Sequence, residues 1–448
     1  MALMLRRWCV SLFLVALTIA PLSADPPPDS EFDRLFPSAG LEDRIGFWKM
    51  IFTRYGQDEV VIHDRNDFRL IYKIVKSPYL GTDRASVLKR RAQVKAMTED
   101  FEQLFDQLIA LGPDSDKLDF RHREVLAVLK LANYQPTESN LRKLKDGIHL
   151  QRGIKEKFRE GLIRSGRYLP SLERIFVEKG LPRELVFLPH VESSFDYTAY
   201  SHKGAAGIWQ ITRGTGRRLL KIGATVDERL NPIRAAEAAA DILLDNYRAL
   251  GTWPLAITAY NHGKYGMLRA QKAHGNDIKE IIEKYQSKIF GYAGQNFYAE
   301  FLAAVDIAKN HEKYFPGLVI DEPLRFESIK VAQSTSVSTL GKKYNVSKAT
   351  LKTYNPHLTP RFWARSGVVP PGTVLHLPAG DSPTLVADNS QPAVSAKSDT
   401  AGYTKYKVRR GDTLIKIARK FQVGVEQLME LNGIESTRIY LGQLLLIP

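Results

Sequence analysis

The chain has 448 residues, 44% of them hydrophobic and 25% charged, which excludes a disordered or collagen-like polypeptide and leaves room for roughly two to four domains. Its net charge is +15, or +13 without Arg6 and Arg7. The single cysteine, Cys9, stands so near the N-terminus that a disulfide framework and a thiolate metal site are both excluded.

Taken in chain order, Arg6 and Arg7 precede an apolar run from Trp8 to Ala20, then Pro21 and a small residue at Ala24. This layout predicts a secretory signal over 1–24, too short and asymmetric for a membrane span. Arg6, Arg7 and Trp8 before Cys9 do not fit a lipoprotein signal. Export to the periplasm or cell envelope is the expectation, with transient membrane association through an uncleaved signal. A basic exported protein suits an anionic polymer; export argues against nucleic acid, and a cell wall bearing peptide and lactyl carboxylates fits better.

Residues 25–38 are Pro-rich and polar and read as a linker. Phe101, Leu104, Leu108 and Leu111 share one helical face, so a helical extension is expected over 25–165, with a short strand at Glu59–His63. The helical pattern continues through 166–315. Pro182 suits a first helical turn, and Pro189 is expected to kink or end a helix just before Glu192. Asn231 and Pro232 open a helix whose stripe runs through Ile233, Ala236, Ala240, Leu243, Leu244 and Tyr247, closed by Gly251. Beyond Phe326 an internal repeat appears: Val408–Asn432 lies on Val331–Asn355 without a gap, and each copy ends in an apolar strand before a proline. The copies occupy 326–380 and 403–448, each reading strand, helix, helix, strand. Between them, 381–402 is a polar Ser-, Pro- and Ala-rich linker.

Glu192 ends the apolar run Leu185–Val191 and is followed by Ser193, Ser194 and Phe195. A carboxyl at the end of an apolar stretch is costly to ionise, and a carboxyl kept protonated near neutral pH is what a general acid needs. Two further motifs follow: Ser201, Gly204, Ala205, Gly207 and Gln210, with Trp209 among them, then Tyr260, Asn261 and Gly263. Together they resemble the goose-lysozyme-like core of the family 1 lytic transglycosylases, most closely the membrane-bound lytic murein transglycosylase D branch, over roughly Gly166–His311. The resemblance implies a mainly α, lysozyme-like core. It places the catalytic acid at Glu192 and substrate contacts at Ser193, Ser201, Gly207, Trp209, Gln210, Tyr260 and Asn261. Tyr298 fits the tyrosine that the family sets close to the acid. Small residues at 204–207 are expected to let the backbone approach a sugar ring.

The implied reaction is non-hydrolytic cleavage of the β-1,4 bond between N-acetylmuramic acid and N-acetylglucosamine in peptidoglycan glycan strands. One glutamate first protonates the leaving oxygen, then acts as base while a 1,6-anhydro ring closes. Most glycosidases pair two carboxylates; Asp196, Asp227 and Asp241 are the nearby candidates, and the resemblance requires none of them. A goose-type muramidase hydrolysing the same bond and a non-catalytic peptidoglycan-binding protein are the alternatives. No cofactor or metal is implied: the ten histidines show no ligand spacing, Gly214–Gly216 lacks the context of a dinucleotide loop, and there is no nucleophile elbow.

The second repeat, with Tyr406, Gly411, Asp412, Thr413, Leu414 and Asn432, resembles the LysM module, a small α+β binder of N-acetylglucosamine polymers. The resemblance implies glycan contacts at Gly411, Asp412, Thr413, Leu414 and Asn432. In the first copy Ser334, Thr335 and Ser336 replace the Gly-Asp-Thr turn, leaving a binding and a purely structural role both open.

Overall fold

A computed structural model describes residues 31–78, 81, 83–365, 367–379, 404–409, 412–432, 437, 439 and 443–447. The signal expected over 1–24 and the linker over 381–402 lie outside the described residues. The chain divides into two units, 1–379 and 380–448.

The first unit begins with α1 (Glu31–Leu35) and α2 (Glu42–Thr53). The former lies within the segment expected to be a linker, and the expectation fails for an apolar reason. Phe36, just after α1, is fully buried, 5.6 Å from the Phe301 ring and 6.5 Å from that of Trp253. Burial of one such ring is worth about 2 kcal/mol, enough to hold a short Pro-flanked helix in place.

The extension then alternates sheet and helix: β1 (Glu59–Asp64), β2 (Ile71–Lys76), α3 (Arg84–Leu111), α4 (Phe120–Leu131), α5 (Glu138–Asp146) and β3 (Ile148–Arg152). The strands form an antiparallel sheet in the order β2-β1-β3. The expected strand at Glu59–His63 is present as β1. Side-chain carboxylate or hydroxyl caps at Asp83, Asp119 and Thr137 start the three helices. Phe101, Leu104, Phe105 and Leu108 of α3 build a small core with Val125, Leu129, Leu141 and Leu144.

The larger core belongs to the segment that follows: α6 (Lys155–Ser165), α7 (Leu169–Glu178), a 3₁₀ turn (Arg183–Phe187), α8 (Leu188–Glu192), α9 (Arg213–Gly216), α10 (Pro232–Leu250), α11 (Trp253–His262), α12 (Lys264–His274), α13 (Ile278–Lys284), α14 (Tyr292–Lys309) and α15 (His311–Tyr314). Asn231 caps α10 by accepting from the Ile233 and Arg234 N–H groups, and Gly251 ends it with φ +76°. Four alanines, Ala235, Ala236, Ala239 and Ala240, are fully buried on α10 and let its neighbours approach closely. α14 is packed against α2, α8 and α11 and forms the spine of this core.

The first repeat closes the unit with β4 (Phe326–Lys330), β5 (Thr335–Ser336), α16 (Val337–Tyr344), α17 (Lys348–Tyr354), α18 (Pro360–Arg365), β6 (Val368–Val369) and β7 (Val374–Pro378). β4 pairs with β7 and β5 with β6, each antiparallel. Val226, from the helical segment before it, is buried in this repeat's own core, and the Asp227 N–H donates to the His357 carbonyl at 2.9 Å. Asn231 bridges the rings of His357 and His376 at 3.2 and 2.9 Å. This repeat is therefore packed onto the helices before it. In the second unit, β8 (Thr404–Lys407) pairs with β9 (Leu444–Ile447) around α19 (Leu414–Lys420) and α20 (Val425–Leu431). The fold class is mainly α with two small α+β modules.

Candidate active site

Leu185–His190 are buried, so the 3₁₀ turn and α8 are anchored in the core and deliver Glu192 at the last helical position. Pro189 neither kinks nor ends this helix. It occupies the second helical position, where its missing N–H costs nothing, and marks the change from 3₁₀ to α geometry. After Ser193, Ser194 and Phe195 both adopt φ 55°. Such left-handed backbone costs roughly 1–2 kcal/mol per non-glycine residue, so the surroundings must hold it. Phe195 is fully buried with its ring 4.6 Å from that of His190. The Arg164 guanidinium donates to the Ser194 carbonyl at 2.7 Å, and the Phe195 N–H donates back to the Pro189 carbonyl at 3.1 Å. The chain thus reverses sharply beneath Glu192.

Burial pushes the Glu192 carboxyl up to about 8, and the neighbouring Glu300 carboxyl adds to the shift. Glu300 projects from α14 where that helix packs on α8, and burial likewise raises its pKa to about 8. Two carboxyls that repel each other in a poorly solvated site titrate as a pair, and both are held largely neutral at pH 7. The carboxylates weighed from the sequence are engaged elsewhere. Asp196 accepts from the Thr198 N–H and hydroxyl at 2.8 and 2.7 Å, Asp227 is ion-paired with Arg229, and Asp241 pairs with Lys179. Glu300 does not stand out in the sequence because it sits in a largely apolar helix. Its signal was the four-residue spacing of Tyr292, Asn296 and Glu300, which sets a polar stripe on one helical face.

Opposite α8, residues 199–211 form a tight loop with bridges from Ala206 to Tyr200 and to Ile211. Ser201 Oγ accepts from the Ala205 N–H at 2.9 Å, and Gln210, at φ 46°, donates to the Gly207 carbonyl at 2.8 Å. Behind the loop, Arg229 is 1% exposed. It makes a two-pronged pair with Asp227 at 2.9 and 2.7 Å and donates to the Gly204 and Ile211 carbonyls at 2.7 and 3.2 Å. Tyr260 faces Glu192, and its hydroxyl donates to the Trp209 carbonyl at 2.8 Å. Burial, with the Glu192 charge adding to it, raises the Tyr260 pKa, so the phenol stays neutral. Asn261 is exposed at the end of α11.

Four expected contact residues are placed differently. Ser193 is buried and its hydroxyl donates to the Ile208 carbonyl at 3.0 Å, tying the loop to α8. Trp209 is fully buried, its ring stacked 5.4 Å from Phe176 at 12°. At Gly207 a Cβ would sit 1.8 Å from the Arg229 carbonyl oxygen, so packing alone already requires a glycine there. Tyr298 is buried and donates to the Pro37 carbonyl at 3.0 Å, so Tyr260, and not Tyr298, is the tyrosine beside Glu192. Of these groups, Tyr260 and Glu300 stand beside Glu192, while Ser201 and Gln210 belong to the 199–211 loop and Asn261 is exposed at the end of α11.

In the second repeat, Gly411 lies outside the described residues. Asp412 accepts from the Arg409 N–H and the Tyr406 hydroxyl at 2.7 and 2.8 Å, and Thr413 caps α19. The Leu414 side chain is fully buried. Asn432 donates to the Leu428 and Leu446 carbonyls and accepts from the Leu446 N–H. Asn355 does the same in the first repeat, with Leu351 and His376. The side chains of Leu414 and Asn432 thus hold the module together and are not free for a glycan. Among the described residues, no group of three His, Cys, Asp or Glu side chains is arranged to hold a metal ion, and no helix is long and apolar enough to cross a membrane.

The helical core thus presents a partly buried glutamate and is followed by a small strand-helix-helix-strand module. Residues 177–282 match the Transglycosylase SLT domain and residues 406–448 match the LysM domain. The chain belongs to the SLT-domain transglycosylase family. It is homologous to the membrane-bound lytic murein transglycosylase D of Escherichia coli (strain K12), 30% identical over 285 residues, which are 60% of this chain and 61% of that protein. A putative tributyltin chloride resistance protein of Alteromonas sp. (strain M-1) is 31% identical over 162 residues, 35% of this chain and 77% of that one. The chain thus spans about three fifths of the length of the transglycosylase D relative. A solved lytic transglycosylase Slt from Pseudomonas aeruginosa shares 17% identity over 44% of this chain and 29% of its own, with a TM-score of 0.28.

Proposed function

We propose that this protein is an exported peptidoglycan lytic transglycosylase of the cell envelope, with Glu192 as its acid and base. The observation that carries the reading is a carboxyl kept protonated near neutral pH at the end of a rigid buried helix. In the first step Glu192 gives its proton to the oxygen joining muramic acid C1 to the next sugar, and the C1–O bond breaks. Glu192, now a carboxylate, takes the proton of the muramic acid C6 hydroxyl while that oxygen bonds to C1. The proton count closes on Glu192 and no water is consumed. Substrate-assisted glycosidases show how an acetamido group can carry charge at C1 between the steps. Asn261 is exposed and can orient an acetamido or hydroxyl group, and Gln210, whose Nε2 donates to the Gly207 carbonyl, has its Oε1 to accept one. The C-terminal LysM domain is an anchor to the same polymer.

The muramidase alternative is favoured by one feature, the second carboxyl of Glu300. A water-activating base must be ionised, however, and burial holds Glu300 largely neutral at pH 7. Glu192→Gln is close to isosteric and should fold, yet lose roughly 10²–10⁴-fold or more in turnover of soluble glycan strands. A folded variant retaining most of the rate would remove Glu192 from the mechanism.

A further inference from the structure

The polar stripe that ends at Glu300 begins in a cluster that the steps at Glu192 leave unused. Tyr292 lies eight residues earlier on α14, about 12 Å away along the helix. Its ring is stacked on His149 of β3, centroids 3.7 Å apart at 24°, and its hydroxyl meets Nε2 of His63 on β1 at 3.1 Å. His63 and His149 face each other in the β1–β3 ladder, and Phe47, 4.3 Å from the His63 ring, backs the cluster. The Tyr292–His149 pair is therefore a rigid aromatic platform built jointly by the N-terminal extension and the catalytic core.

Two cations bear on Tyr292: Arg44, whose guanidinium donates to Asn296 Oδ1 at 2.8 Å and lies over the Phe68 ring, and Arg65, immediately after β1. The Arg65 N–H donates to the Gly147 carbonyl at 2.8 Å, which fixes the residue beside the start of β3, and its charge bears on both His149 and Tyr292. The adjacent Asp64 carboxylate is occupied by the Asn66 and Asp67 N–H groups at 2.7 and 2.8 Å. Arg65, His149 and Tyr292 are all partly exposed, whereas His63 is buried. A guanidinium whose charge reaches a fixed flat ring is suited to a carboxylate carried on a chain that lies across the ring.

We propose that Arg65, His149 and Tyr292 form a distal subsite for the carboxylate-bearing peptide stem of the glycan strand held at Glu192. The subsite rests on the peptidoglycan reading above and names the part of the substrate that the N-terminal extension recognises. His149, held neutral by burial and the Arg65 charge, does not compete with Arg65 for the anion.

Binding tests this without depending on which product forms. In the full-length Glu192→Gln protein, affinity is measured by calorimetry for glycan fragments with intact stems and for the same fragments stripped of stems by an amidase. The stem-bearing fragment should bind more tightly. Adding Arg65→Gln should weaken it about tenfold, the effect of losing one hydrogen bond to a charged group, and bring the two fragments close together, while Arg65→Lys should fall between. Thermal unfolding of each variant checks the fold. Equal weakening of both fragments, or no weakening of either, would overturn the subsite. An absence of anhydro products from the wild-type enzyme would instead count against the reaction and leave this comparison standing.

Discussion

Two glycines in the loop facing Glu192 separate packing from substrate access. Gly204 and Gly207 share a left-handed backbone, at φ +78° and +76°. Alanine at either position incurs that strain, roughly 1–2 kcal/mol. The space around them differs. A Cβ at Gly204 has no atom within 4 Å, whereas at Gly207 it would meet the Arg229 carbonyl oxygen at 1.8 Å and the carbonyl carbon at 2.8 Å. That backbone cannot give way, because Arg229 is locked to Asp227 and to the carbonyls of the same loop. Overpacking adds about 1–3 kcal/mol, so Gly207→Ala should cost about 2–5 kcal/mol in total against about 1–2 for Gly204→Ala. At about 2–4 °C per kcal/mol, thermal unfolding of the full chain should drop by several degrees more for Gly207→Ala. Equal, small shifts in both variants, with a raised KM confined to Gly207→Ala, would refute the packing argument and restore the sugar-approach role.

The raised pKa values carry a definite sign. Glu192 and Glu300 hold protons in the folded state up to about pH 8 but release them near the ordinary carboxyl range when unfolded, so their burial costs stability as pH rises from about 4.5 through 8. Glu300→Gln should therefore raise the unfolding temperature more at pH 8.5 than at pH 5. It should also move the alkaline fall in kcat/KM to lower pH, because Glu192 loses a like-charged neighbour; a pH-independent stability change would contradict the pairing. Removing residues 381–448 should weaken retention on insoluble peptidoglycan more than it slows cleavage of short soluble glycans, since a tethered anchor acts through local concentration. Equal losses in sacculus pull-down and soluble turnover would show that the second repeat helps build the catalytic site.

The sequence carried Glu192 and the order of the motifs around it, because a charged residue closing an apolar run is a local signal. It also carried both repeats, whose equivalent asparagines, Asn355 and Asn432, proved to share one structural task. What it did not carry is three-dimensional sorting. Trp209 and Gly207 lie in the same short motif as Gln210, and Ser193 directly follows Glu192, yet they point into the core or against Arg229, and no periodicity exists in loops of this kind to tell the faces apart. Glu300 and Tyr292 reach the site only because α14 crosses α8 and the β1–β3 sheet, contacts more than 100 residues apart along the chain. The helix at Glu31–Leu35 was hidden by its proline-rich surroundings, and only the pocket made by Trp253 and Phe301 explains it.

The central claim is tested most directly by mass spectrometry of the muropeptides released from purified sacculi by the full-length protein in H₂¹⁸O. Ring closure by the C6 hydroxyl predicts ends lighter by one water than a hydrolysed fragment and free of ¹⁸O. Reducing ends that carry ¹⁸O would show that water is the nucleophile and would contradict the account.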